Sequence, residues 1–182
     1  IGLSVLQCAY LLGTGPLRKR LQLAGTSDPR QVATFTAGIL VILLALLSPI
    51  HRMSDNYLFS AHMLQHLLLT LVAPPLLILG TPGWLIRPLL RPGKSFRIAR
   101  IVTHPVVAFV TFNVIFSIWH IPTLYNLSVT HHWVHIGEHL MFIATAVLMW
   151  WPITSNVPEL PRLSDAQQIV YLFLISVAQI IV

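Results

Sequence analysis

Apolar residues run along this chain in stretches too long for the elements of a water-soluble fold. The runs fall at about 2–13, 32–50, 58–80, 101–120, 132–153 and 167–182, and short polar segments separate them. Most approach the about 20 apolar residues that carry a helix across a bilayer. The pattern predicts an all-α protein, a polytopic transmembrane helical bundle with about six spans in view, forming one domain over residues 1–182. Prolines punctuate it. Ser48-Pro49 closes the second run and Ile121-Pro122 the fourth. Ala73-Pro74-Pro75 lies inside the third, where two missing backbone donors predict a kink. The segment 84–90 is partly apolar and is expected at the membrane interface. The chain opens at Ile1 and closes at Val182 within an apolar run, so it reads as part of a longer protein, truncated at one or both ends.

Composition agrees with this reading. Of 182 residues, 55% are hydrophobic and 9% charged. A soluble domain carries about 25% charged residues, enough to cover its surface. The net charge of +6 invites a nucleic-acid reading, but the cations are not spread over a binding face. Arg18, Lys19, Arg20 and Arg30 fall in the segment 14–31, and Arg87, Arg91, Lys94, Arg97 and Arg100 in the segment 81–100. Clusters of this kind mark cytoplasmic loops. They place 14–31 and 81–100 in the cytoplasm and 51–57 and 122–131 outside, and they exclude nucleic acid as a partner. The single cysteine, Cys8, permits no internal disulfide and leaves the redox compartment unread.

That topology sorts the histidines. Spans two and four run outward and end at His51 and His120. Spans three and five start outside and carry His62, His66, His132, His135 and His139, with His131 just before. His104 alone belongs to the other side. Two pairs, His62/His66 and His135/His139, are spaced four apart, which puts both rings of a pair on one helix face. Two facing helices bearing such pairs can supply three or four imidazole nitrogens to one ion. Glu138 stands beside His139, and an ionisable side chain at that depth is costly enough to suggest function. It can serve as a ligand or as the partner that orients an imidazole. A lone histidine in a membrane bundle more often bonds between helices. His51, His104, His131 and His132 are given that role, and His120 is open between ligand and interfacial anchor. Imidazole suits copper, zinc and iron alike. Met53, Met63 and Met141 could add soft thioethers for copper(I), although methionine is commonly filler, and Cys8 is read as an apolar residue.

Other chemistries fit less well. His135-Ile136-Gly137-Glu138-His139 matches the His-x-x-Glu-His pattern of a zinc protease family, but no carboxylate ligand follows on the same side. A zinc hydrolase with three histidines, a bound water and Glu138 or Asp55 as acid or base is the alternative function. Bis-histidine haem would leave half of each pair unused, and no polar track marks a transport pathway.

The string Ala61-His62-Met63-Leu64-Gln65-His66-Leu67-Leu68-Leu69, running on to Ala73-Pro74-Pro75-Leu76-Leu77-Ile78-Leu79-Gly80, resembles the central motif of the CtaG family of cytochrome c oxidase assembly factors. Trp119-His120-Ile121-Pro122, Tyr125-Asn126, and His132 through Glu138-His139 to Trp151-Pro152 look like that family's second block. The similarity covers residues 32–161. It implies a multi-pass protein of the bacterial plasma membrane with about seven spans, needed to form active haem-copper oxidase, with a proposed part in copper delivery or insertion. Oxidase subunits, copper chaperones and the lipid bilayer would be its partners. The expected role is binding and handover rather than enzymatic catalysis, with copper at His62, His66, His135, His139, Glu138 and His120.

Overall fold

The computed structural model describes residues 2–20, 28–47, 59–90 and 93–181. His51, Met53 and Asp55 lie outside the described residues. Every element among the described residues is helical. Helix α1 spans Gly2–Thr14, α2 Pro16–Arg20 and α3 Pro29–Leu47. Helix α4 (Phe59–Leu67) passes through a π-helical segment, Leu68–Val72, into α5 (Ala73–Gly80). The short α6 (Gly83–Ile86) and a 3-10 turn (Arg87–Leu89) lead to α7 (Lys94–Val102) and α8 (Pro105–Trp119). Then come α9 (Pro122–Thr130), α10 (His132–Thr154) and α11 (Asp165–Ile181).

The apolar helices make this a membrane protein, but the expected six or seven spans are not met. Three helices among the described residues are long and apolar enough to cross a bilayer: Pro29–Leu47, Ser60–Gly80 and His132–Thr154. The bent pair α7 and α8 makes a fourth if counted as one span. The reason is length. Helix α1 has 13 residues and α11 has 17. Both abut an end of the sequence, and their described turns, at about 1.5 Å per residue, amount to roughly 20 and 25 Å against a hydrocarbon core about 30 Å thick.

Two expectations about single elements also change. The fourth apolar run is not one helix from residue 101, because α7 and α8 meet at a bend of 66°. Pro105 lacks the donor to continue α7, and it holds His104 before it in an extended conformation (φ −63°, ψ 132°). The segment 122–131, read as a loop, is mostly helix α9, begun by Pro122 at a position where a missing N–H costs nothing.

At Ala73-Pro74-Pro75, where a kink is expected, the structure shows how the chain accommodates the prolines. The helix does not break there; it widens. The Ala73 N–H bonds to the Leu68 carbonyl five residues back. The Thr70 carbonyl would be served by residue 74 in an α-helix or by residue 75 in a π-helix, and both are prolines. The Trp150 indole takes the place of the missing donor, with Nε1 2.9 Å from the Thr70 oxygen. A wide turn repaired by a neighbouring helix keeps 60–80 one span and fixes α10 against it.

Packing then sets the order of helices. Helix α3 lies antiparallel on α5 so closely that a Cβ on Gly80 would stand 2.3 Å from the Phe35 nitrogen. Only glycine allows that approach, as small residues do at membrane helix contacts. Ile42, Ala45, Leu69 and Ala73 bury the upper part of this contact. Tyr10 stacks on Phe35 at 3.8 Å and donates its hydroxyl to the Gly80 carbonyl at 2.7 Å, tying α1 to the same corner. On the other flank Phe112, Ala146, Met149, Tyr171 and Ile175 join α8, α10 and α11. Chain direction therefore brings the start of α4, the end of α8, α9 and the start of α10 to one end of the bundle. The described residues of the basic segments lie at the other end, where Arg87 Nε meets Glu159 Oε1 at 2.8 Å.

Candidate metal centre

The i, i+4 spacing does locally what the helix repeat requires. His62 and His66 stack along one face of α4 with ring centroids 4.2 Å apart. His135 and His139 do the same on α10 at 4.3 Å. The two faces are turned toward each other. His62 lies 6.0 Å from His135 and His66 lies 5.8 Å from His139, ring centre to ring centre. All four are buried. Two pairs separated by almost seventy residues of sequence thus form one layer of four imidazoles.

Glu138 enters the same layer from α10. Its side chain is 1% exposed, and Oε1 stands 3.9 Å from His66 Nε2. That exceeds hydrogen-bond length, so the two are neighbours rather than partners. Glu138 Oε2 and both ring nitrogens of His66 have no hydrogen-bond partner among the described residues. A carboxylate oxygen and an imidazole left this way in a dry interior are expensive, and a cation between them would offset that cost.

Donor atoms from His62, His66 and Glu138 all lie within 4.8 Å of one another. Ligands on one ion sit at most about twice a ~2 Å bond apart. Small ring rotations would therefore close this group on a metal, and the chemistry of the donor set fits copper or zinc.

His120 is held differently. It caps the end of α8, and its Nδ1 lies 2.7 Å from the Phe116 carbonyl. Donation to that carbonyl leaves Nε2 as the basic ring atom. The ring lies 5.9 Å from that of His66, beside the tight group rather than within it. Phe142 packs edge-on to His66 at 4.8 Å and Phe116 lies 4.3 Å from His120, so aromatic walls fix both rings.

The remaining candidates stand apart. His131 is exposed and its Nδ1 lies 2.9 Å from Thr130 Oγ1. His132 is exposed at the first position of α10. His104 is exposed before α8, at the opposite end. Met141 and Cys8 are exposed as well. Met63 lines a cavity together with His66 and His120.

Two residues at the site carry roles the sequence reading did not give them. Ser128 is buried within hydrogen-bonding reach of Glu138, and Tyr125 sets its ring 5.7 Å from His62. Both come from α9, the segment taken for a loop. Their spacing of three, which puts them on one helical face, was the available signal.

The two sequence blocks separated by the basic segment thus converge on one site. The family described as cytochrome c oxidase caa3 assembly factor (Caa3_CtaG) matches residues 8–182. The chain belongs to this family. Among curated relatives of this chain are uncharacterized proteins of Mycobacterium bovis and Mycobacterium tuberculosis. Each is 29% identical over 186 residues, 93% of this chain and 27% of the relative. One of Mycobacterium leprae is 27% identical over 91% of this chain and 28% of its own length. The chain thus spans just over a quarter of these relatives. No solved structure matches it. The layer is built by both resemblance blocks, the first giving His62 and His66 and the second His135, Glu138 and His139.

Proposed function

We propose that this chain serves haem-copper oxidase assembly by holding copper in the layer formed by His62, His66, His135, His139 and Glu138, with His120 beside it, and passing it on. The single observation that carries the reading is the meeting of the two histidine pairs at 5.8–6.0 Å around a buried carboxylate. Four imidazoles and one carboxylate exceed what interhelical hydrogen bonding asks of a bundle, and hydrophobic residues of similar size would pack more cheaply. Copper here is cargo. It would be bound by nitrogen lone pairs and released by ligand exchange, with no bond of a substrate made or broken. The membrane would be the bacterial plasma membrane. The concentration of cations at the end opposite the histidines supports a cytoplasmic side for 14–31 and 81–100 and an outward-facing metal layer. Oxidase subunits would receive the ion there, and a copper chaperone could supply it.

The test uses the purified chain in detergent, equilibrated with copper(I) under reducing conditions and washed. Bound copper per chain is measured by elemental analysis. The expected result is stoichiometric copper in the unaltered chain and loss of it in the paired variants His62→Ala/His66→Ala and His135→Ala/His139→Ala. Equal copper in all three would overturn the reading.

One observation favours a second reading. His62, His66 and Glu138 are a His/His/carboxylate set, which in hydrolases holds catalytic zinc with a water at the fourth position. Elemental analysis of the chain as isolated separates the two, since resident zinc that resists washing would support the hydrolase.

A further inference from the structure

Two cavities reach the histidine layer, and they share no lining residue. The first, about 340 Å³, lies between α4, α8 and α11 and is lined by Met63, His66, Thr70, His120, Ser176 and Gln179 among others. The second, about 370 Å³, lies between α3 and α10 and is lined by Leu46, His132, His135, His139 and Ile143 among others. Their walls are otherwise largely apolar, so the nitrogen and sulfur donors are the places where an ion could stop. The imidazoles between them form a connected series. His120 lies 5.9 Å from His66, His66 lies 5.8 Å from His139, and His139 lies 4.3 Å from His135. A parallel branch runs from His66 to His62 at 4.2 Å and on to His135 at 6.0 Å.

We infer that the layer is the middle of a two-mouthed transit path for a soft monovalent cation, entered at Met63 and His120 and left past His135 and His132. This rests on the copper reading above. The direction follows from the donors. A thioether selects copper(I) over harder ions. His120 is held ready by the Phe116 carbonyl, so little ordering accompanies its first bond. The second mouth offers imidazole alone, ending on the exposed His132. Each step exchanges one ring nitrogen for the next: one metal–nitrogen bond forms as another breaks, the lone pair stays with its ring, and no electron is transferred. Short spacing is what makes this feasible, because neighbouring rings can hold the ion together during exchange.

The experiment follows copper(I) entering and leaving the full chain in detergent, by stopped-flow with a colorimetric copper(I) chelator as donor or acceptor. Met63→Leu and His120→Gln are expected to slow loading about 10-fold, the scale of a lost orienting or ligating contact. Ser176→Phe, which fills the first cavity without removing a donor, is expected to slow loading and to keep the equilibrium stoichiometry. His132→Ala is expected to slow release and leave loading unchanged. Loading at the unaltered rate in Met63→Leu, His120→Gln and Ser176→Phe, in a chain that still binds copper through His62 and His66, would overturn the path and leave the copper site standing. Failure of the unaltered chain to bind copper(I) at all would instead remove the copper reading, and transit with it.

Discussion

Two carboxylates, Glu138 in the second turn of α10 and Glu159 beyond its far end, have opposite fates. Glu159 is 43% exposed and meets Arg87 at 2.8 Å. Glu138 is 1% exposed and stands 3.9 Å from His66 without touching it. The shorter contact is the weaker device. In water, Coulomb attraction is screened and two long side chains lose freedom to meet, so an exposed pair contributes about 0–1 kcal/mol. Glu138 has given up its hydration, and its Oε2 has no hydrogen-bond partner among the described residues. Such a group persists where something else repays the cost, and the histidine layer is where a cation would do so. Distance alone would rank these two sites the wrong way round; burial ranks them correctly.

The comparison can be broken from the histidine side first. His66 holds a donor atom within 4.8 Å of those of both His62 and Glu138, so His66→Ala should weaken copper(I) binding by about 100-fold or more, measured by chelator competition. An affinity unchanged by this variant would make the layer structural. Glu138→Gln keeps shape and removes charge. About 10- to 100-fold weaker binding is expected if the carboxylate either ligates or orients an imidazole. Tighter binding would show that Glu138 works against the metal.

Stability tests sharpen the contrast at lower magnitude. Trp150→Phe keeps the ring but strips the donor from the Thr70 carbonyl, buried beside two prolines. An unsatisfied buried carbonyl costs about 1–3 kcal/mol, which should appear as a lowered midpoint of thermal unfolding in detergent. An unmoved midpoint would mean that the wide turn needs no partner. Arg87→Ala, at the exposed pair, should shift stability by less than about 1 kcal/mol and leave copper binding alone. A large loss there would reverse the ranking of the two ends.

Much of the site was legible before any coordinates. The spacing of four in His62/His66 and His135/His139 is a one-dimensional record of a helix face, and the helix repeat converts it to geometry without help from the rest of the chain. Glu138 was legible for a different reason, since an ionisable residue in an apolar run is rare by energy. Helix α9 was missed because Pro122, Asn126 and the polar tail of 122–131 resemble a loop in composition. Its helicity comes from packing against α8 and α10, and Ser128 and Tyr125 went unplaced with it. The span count differs where apolar length was read without breaks: Pro105 divides the fourth run, and α1 and α11 show only 13 and 17 residues at the two ends of the sequence.

By itself, then, the sequence determined that this chain is helical and apolar enough for a membrane, and which rings share a helix face. Both properties are local, set by side-chain transfer energy and by the 3.6-residue repeat. Only tertiary structure decided that the two histidine faces meet, that Glu138 joins His62 and His66 with His120 beside them, and that the indole of Trp150 repairs the turn before Pro74 and Pro75. Those facts depend on how helices distant in the sequence are rotated against each other. Close approach at Gly80 and the packed flanks of α8 and α10 set that rotation, and no periodicity along one helix records it.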